Sequence, residues 1–336
     1  MVEISIVSLI YKSKKFADWV YNSVLEFTPQ IARGNAEFFF VANDPTDDLV
    51  AHLENKKYQH VVQVNPRRTE QELFQMGYGK PEYIHRVYRG WNRAILEAQG
   101  SIVVLVNSDN YFSPNWLENL LKYYQNNTVV CSQLVERRHP KYGSFPGAYH
   151  GEFGNHPDNF DRQGFLKYAE RVCKTGTRPG GAFMPCMLNK ELAIKAGLYP
   201  EGNIAGSSFG EVIGYGDEVF FKKLGKLGVH HFTAFDSIVY HLKEGEMEEA
   251  SEPAHPTLSK SIAVTENQPA KNILEFKQKQ KFSTSDIPSP LFSILVPTYN
   301  QAEYLAEALD SLLAQTYEKW EAIVVMMGQL MKHQPF

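Results

Sequence analysis

The 336-residue chain has little cysteine, little excess charge and no long apolar run, and each shortage removes a class of protein. Cys131, Cys173 and Cys186 are odd in number, widely spaced and form no CxxC pair, which argues against both a disulfide framework and a zinc knuckle. A reducing cytoplasm is therefore the expected location. A formal net charge of -4 gives no general attraction to nucleic acid or to an anionic membrane surface. No segment approaches the roughly 20 apolar residues that span a bilayer. The opening MVEISIVSLIYKSKK carries an acid at Glu3 and no basic stretch ahead of its apolar residues, so it reads as a first strand and not as a signal peptide. Also missing are a GxGxxG that opens a helix after a strand, a GxxxxGK[ST] loop, a GxSxG elbow and an HExxH pair.

What remains is the composition of a soluble globular protein, with 43% hydrophobic and 21% charged residues and length enough for one large or two ordinary domains. The most informative stretch runs from residue 83 to 110. Ile84, Val87, Trp91, Ile95 and Ala98 recur at helical spacing and predict one apolar face. Gly100 follows the last of them, where a helix takes a left-handed cap. Ser101 to Val106 is a continuous Ile/Val/Leu run, the pattern of a strand buried on both faces of a parallel sheet. It stops at Asn107-Ser108-Asp109-Asn110. In open α/β sheets the carboxyl end of a central strand faces the ligand crevice. A hard cation such as Mg²⁺ or Mn²⁺ takes one or two carboxylates plus substrate phosphates, and Asp109 is placed to supply one. The same four residue types also make ordinary turns, so the motif needs the rest of the chain to give it meaning.

Taken in order, residues 3–11, 37–42 and 58–64 read as strands and 16–27 as an amphipathic helix, with a second helix opening at Thr46 or Asp47. Residues 67–79, with two glycines, read as a loop. After Asp109, a helix is expected at 115–124 and a strand at 128–134. Residues 136–179, rich in Gly, Pro, His and aromatics, read as a loop-rich insertion over the site. A small-residue strand or turn at 180–187, a short helix at 189–197, a glycine-rich segment at 211–217, a helix at 218–225 and a strand at 229–241 complete the domain. His230 and His231 are neighbours on that strand and point to opposite faces, so they would not share one metal ion. The β-α-β order predicts a mostly parallel sheet with right-handed crossovers. Residues 244–290 change to acids, Ser, Thr, Pro, Lys and Gln, as a linker does. Residues 292–300 then start a fresh strand, followed by a helix through Leu313 and a strand at 322–325, so the chain repeats its own opening.

That second opening, FSILVPTYNQAEYLAEALDSLLAQTYEKWEAIVV, resembles the start of family 2 glycosyltransferases of the GT-A fold. Residues 4–243 then resemble a more divergent but complete member, through four features: the first strand and helix; Trp91-Asn92-Arg93-Ala94; Asn107-Ser108-Asp109 at the place of a metal-binding D-x-D; and GGAFMPCMLNKELAIKAGLYPEG followed by GYGDEVFFKKL. The resemblance implies three segments: a glycosyltransferase domain at 1–243, a linker at 244–290 and, at 291–336, an incomplete start of a second domain. It implies an α/β, Rossmann-like fold and a metal-dependent, inverting transfer from a nucleotide-diphosphate sugar, UDP-linked by expectation. The acceptor would be a glycan or lipid-linked sugar in polysaccharide assembly, handled by an enzyme peripheral to the inner face of the membrane.

By the same resemblance Asp109 is the direct metal ligand, and His241 matches the late histidine that completes the site in some members. Asp217 matches the base that deprotonates the acceptor hydroxyl, with Glu218 as its runner-up. An Asp opening a helix also serves as an N-cap. Tyr11 would stack on the nucleotide base. Asn43 and Asp44 stand where the family has acidic residues ending the second strand, with Ala42 in place of a carboxylate. Asn107, Ser108, Asn92 and Arg93 complete the expected nucleotide-sugar contacts. Arg86, Arg89 and Arg93 lie one helical turn apart and read either as phosphate contacts or as a solvated face. Ala42, Asn43 and Asn107 all remove charge, which supports a rival reading: a degenerate, non-catalytic domain that binds a nucleotide sugar or acts as a scaffold. A nucleotidyltransferase on a related sheet would need a Gly-rich, basic phosphate loop after the first strand, and the chain lacks one.

Overall fold

The computed structural model describes residues 2–138, 143–243, 292–298, 305, 311–312 and 320–326. The chain divides into two compact units, Met1–Ile262 and Ala263–Phe336. The first carries β1 (Ile4–Ile10), α1 (Lys14–Phe27), α2 (Pro29–Ala32), β2 (Ala36–Asn43), α3 (Asp47–Asn55), β3 (His60–Gln63), α4 (Glu70–Gln75), β4 (Tyr78–Gly79), α5 (Ile84–Glu97), β5 (Ile102–Val106), β6 (Asn110–Phe112) and α6 (Trp116–Tyr123). It continues through β7 (Thr128–Glu136), β8 (Tyr149–His150), α7 (Arg162–Val172), β9 (Thr177–Pro179), β10 (Cys186–Asn189), α8 (Lys190–Lys195), β11 (Asn203–Ala205), β12 (Val212–Gly214), α9 (Gly216–Lys226) and β13 (His230–His241).

The main sheet runs in the order β3-β2-β1-β5-β10-β7-β13-β6. β3, β2, β1 and β5 are parallel neighbours, as are β7 and β13, while β10 and β6 run against their neighbours. This is the mostly parallel α/β sheet the sequence predicts. Its strands are apolar on both faces because each feeds two layers. Ile4, Ile6, Phe38, Phe40, Val104 and Val106 pack with α1, α3, α6 and α7. The alternate residues Val7, Phe39, Val41, Val103 and Leu105 pack with α5, α8 and α9. In the second unit, β14 (Phe292–Thr298) pairs in parallel with β15 (Trp320–Met326), the two strands expected there. The expected linker at 244–290 lies outside the described residues, as does most of the helix expected between β14 and β15.

Several local expectations change. Residues 67–79 are not all loop: Thr69 and Glu72 form a reciprocal capping box that starts α4. The insertion at 136–179 contains the eleven-residue α7, whose buried Phe165 and Ala169 anchor it to the core. β7 extends two residues beyond the expected end at 134, through Val135 to Glu136. Gly100 is not a left-handed cap. A Cβ there would lie 2.5 Å from the Glu3 carbonyl oxygen, so glycine is required by the close approach of the loop to β1. Gly100→Ala is accordingly expected to destabilise the first unit by about 1–3 kcal/mol. An unchanged urea midpoint would contradict that packing argument.

Candidate active site

The crevice forms at the carboxyl ends of β5 and β7. Here the central strand stops, and Asn203 of the small β12-β11-β4 sheet also lines the crevice. The turn after β5 is closed by Asn110, whose amide oxygen accepts from the Asn107 N–H at 3.0 Å. Its own N–H returns to the Asn107 carbonyl. β6 then pairs with the end of β13, which sets His241 opposite Asn110 and beside Asp109.

His241 lies between two carboxylates. Its Nε2 is 3.2 Å from Asp109 Oδ2, and its Nδ1 is 2.8 Å from Glu136 Oε1. Glu136, whose side chain is 1% exposed, also accepts from the Lys243 ammonium at 3.1 Å and from the Phe145 N–H at 2.6 Å. Asp109 Oδ2 in turn accepts from the Lys243 N–H. Burial alone would push His241 down, but the flanking charges of Asp109 and Glu136 raise it from its ordinary 6.5 to about 10. Burial likewise pushes Glu136 up, and the bonds from His241, Phe145 and Lys243 outweigh it and hold the carboxyl down at about 2. Glu136 was invisible as a site residue in the sequence. The only signal was a lone acid directly after an apolar strand.

A cleft of about 560 Å³ opens beside this cluster, lined by Asn107, Glu136, His241, Asp217 and Glu218 among apolar and aromatic side chains. The sequence stripe Ile84, Val87 and Trp91 forms part of the cleft wall, while α5 also buries His85, Tyr88, Ala94 and Ile95. Asp217 stands in the first turn of α9, not at its N-cap, which is Tyr215. Its Oδ1 accepts from the Glu218 N–H at 3.1 Å and from the Tyr88 hydroxyl at 3.4 Å. Burial raises its pKa, and the backbone N–H groups of the helix start oppose that rise. Glu218 points to Lys222 one turn along at 3.6 Å, with 43% of its side chain exposed.

The other expected contacts lie outside the cleft lining. Asn92 uses both ends of its amide on the backbone of Tyr199. Arg93 pairs with Glu97 at 2.9 Å along its own helix. Asn43 and Asp44 form a buried polar knot with Asn65, whose N–H and amide nitrogen reach Asp44 at 2.8 and 3.1 Å and whose amide nitrogen also donates to Asn43. Arg86 approaches Asp44 at 3.5 Å, and Arg89 forms a two-pronged pair with Glu201. Each of the three arginines thus pairs with an acid while its side chain stays partly exposed. Asp44 has a left-handed backbone, φ 52°, tolerated here by a buried Asp whose carboxylate is fixed. Tyr11 sits under the Lys12 ammonium, 4.8 Å from its ring centroid. Ser108 occupies the turn between Asn107 and Asp109. His230 is exposed, whereas His231 turns inward to Cys131 and the Ala182 carbonyl, so the two do face apart.

Among the described residues no three His, Cys, Asp or Glu side chains are arranged as a ready metal cage, and no helix is long and apolar enough to cross a membrane.

Comparison with known proteins completes the picture. Solved structures with a similar course include residues 1–349 of TarS from S. aureus, at 14% identity and a TM-score of 0.43, covering 71% of this chain and 60% of that one. Another is the mannosyltransferase PcManGT from Pyrobaculum calidifontis, at 15% identity and a TM-score of 0.44, covering 71% of this chain and 56% of that one. An uncharacterized glycosyltransferase of Rickettsia prowazekii is 58% identical over 43 residues, which is 13% of this chain and 14% of the relative. One from Rickettsia typhi is 60% identical over 40 residues, 12% of this chain and 13% of the relative. The chain thus spans only a small part of these curated relatives. The sequence model described as Glycosyl transferase family 2 matches residues 5–186 and 293–328, more than half of the chain. The chain belongs to glycosyl transferase family 2.

Proposed function

We propose that the first unit, residues 1–243 by the sequence reading, catalyses inverting transfer of a glycosyl group from a nucleotide-diphosphate sugar, UDP-linked, to a glycan or lipid-linked acceptor in polysaccharide assembly. The observation that carries this reading is a single cleft whose lining brings Asn107, His241 and Asp217 together, with Asp109 paired to His241. Asp217 takes the proton of the attacking hydroxyl, and its half-buried, raised carboxyl is a stronger base than an exposed one. Tyr88, Trp91 and Phe183 give the cleft an aromatic lining beside these groups.

The donor set fits a divalent cation. Asp109 offers a carboxylate oxygen and His241 a ring nitrogen 3.2 Å from it, while Glu136 accepts from the other ring nitrogen as the orienting partner of a metal-bound histidine does. Two protein ligands plus substrate phosphates is the ordinary arrangement for Mg²⁺ or Mn²⁺. When bound, the ion would neutralise charge developing on the departing diphosphate. Loading requires His241 to release its proton, so affinity rises with pH.

Calorimetric titration of UDP and GDP, each with and without Mn²⁺, tests the donor half. One nucleotide is expected to bind with Mn²⁺ present, and Asp109→Ala to weaken that binding about 10- to 100-fold without loss of folding. Binding that ignores both Mn²⁺ and the substitution would remove the metal from the reading. No binding of either nucleotide would favour the degenerate scaffold that the uncharged Ala42 and Asn107 suggest.

A further inference from the structure

We propose that Tyr88 is a positioning residue for Asp217, holding one carboxylate oxygen against the protein so that the other faces the acceptor. The inference rests on Asp217 as the base.

The start of α9 has no side-chain cap of its own, and its first N–H groups are satisfied from neighbouring elements. The Gly216 N–H donates to Asn203 Oδ1 at 3.0 Å, and the Asp217 N–H donates to the Tyr88 hydroxyl at 3.3 Å. The same hydroxyl has one proton and two acceptors in reach, Asn203 Oδ1 at 3.3 Å and Asp217 Oδ1 at 3.4 Å. Asn203 is itself buried and fixed, its amide nitrogen donating to the Lys80 carbonyl. When Asp217 is ionised the phenol proton belongs on Oδ1; when Asp217 holds a proton the phenol can turn to Asn203. Both contacts are long, as catalytic hydrogen bonds often are before substrate binds. With Tyr88 and the Glu218 N–H on Oδ1, no donor among the described residues reaches Oδ2, which is left for the acceptor hydroxyl.

Packing enforces the arrangement. Tyr88 is 6% exposed and stacks on Tyr199, with planes 10° apart. A Cβ on Gly216 would lie 2.3 Å from the Tyr88 ring, so only glycine lets the ring reach the next residue's carboxylate. Burial and the Asp217 charge keep the phenol protonated, far above its ordinary range. The other titratable groups close to Asp217 are Glu218 on its own helix, Tyr215 at the N-cap of that helix and Tyr199 behind Tyr88, with Tyr83, Glu136 and His241 lining the same cleft.

The test replaces the hydroxyl and keeps the ring, as Tyr88→Phe. The Asp217 midpoint is read by carbon NMR of carboxyl-labelled Asp, its resonance identified by loss in Asp217→Asn. Removing the donor to the ionised form is expected to move the midpoint up by about half a pH unit or more. In transfer assays kcat is expected to fall about tenfold at neutral pH, with donor KM within about twofold and the acid limb of the pH profile displaced by the same amount. An unmoved Asp217 midpoint in a folded Tyr88→Phe protein overturns the proposal. If instead Asp217→Asn keeps full activity while the midpoint does move, the base assignment fails and the Tyr88 coupling stands.

Discussion

Asp217→Asn is expected to lower kcat by about 10²- to 10⁴-fold, the usual contribution of a general base, with donor KM little changed. The substitution is close to isosteric. Its amide oxygen can still accept from the Glu218 N–H and the Tyr88 hydroxyl, so the start of α9 is kept while the proton acceptor is lost. Burial favours the neutral form of Asp217 and raises its pKa, and the proposed base role requires the ionised form. The wild-type rate must therefore rise with pH through that raised midpoint, and the variant should lose this acid limb. Glu218→Gln serves as the control. That side chain is 43% exposed and directed at Lys222, so its loss should cost less than about tenfold. Nucleoside diphosphate release, followed across pH with the donor selected by calorimetry, measures both variants. A Glu218→Gln effect larger than that of Asp217→Asn would exchange their roles.

Asn107, His241, Asp217 and Glu218, candidates by sequence, line one cleft, and the residues show which signals were local. Asp109 and Asp217 are legible because each follows a strong local signal, an apolar strand in one case and a glycine-rich helix start in the other. The parallel sheet is legible because β5 is apolar at every position and β1 and β2 at most of theirs, as burial on both faces demands. Glu136 and Tyr88 were not legible. Glu136 meets His241, 105 residues away in sequence, only because β7 lies beside β13 in the sheet. Tyr88 reads as one more aromatic residue on an amphipathic helix until the start of α9, 129 residues later, is packed on it. Gly100 shows the reverse error: a glycine after a helix suggests local backbone freedom, yet its cause here is a contact with β1 that local sequence does not contain.

The largest stability effect is expected at Glu136. Glu136→Ala leaves His241⁺ and Lys243 without the carboxylate that both face, and removal of one partner from a buried charged cluster costs about 3–5 kcal/mol. The Phe145 N–H also loses its acceptor. Glu136→Gln keeps the volume and an acceptor oxygen and should cost less. In the metal-free wild type the pH dependence follows from the two displaced groups. Glu136 is held below its ordinary 4.5, so its contribution is complete above that pH and is lost as pH falls toward about 2. His241 is raised above 6.5, so its contribution is complete below 6.5 and is lost as pH rises toward about 10. Urea midpoints should therefore be highest between these ordinary values and decline on both sides. In Glu136→Ala the alkaline decline should flatten, because His241 keeps only Asp109 to hold its proton. Chemical denaturation of both proteins in chelator, from about pH 3 to pH 10, measures this directly. A Glu136→Ala protein within about 1 kcal/mol of wild type, or one with the full alkaline slope, would show that the Glu136–His241 contact does not carry the charge coupling assigned to it.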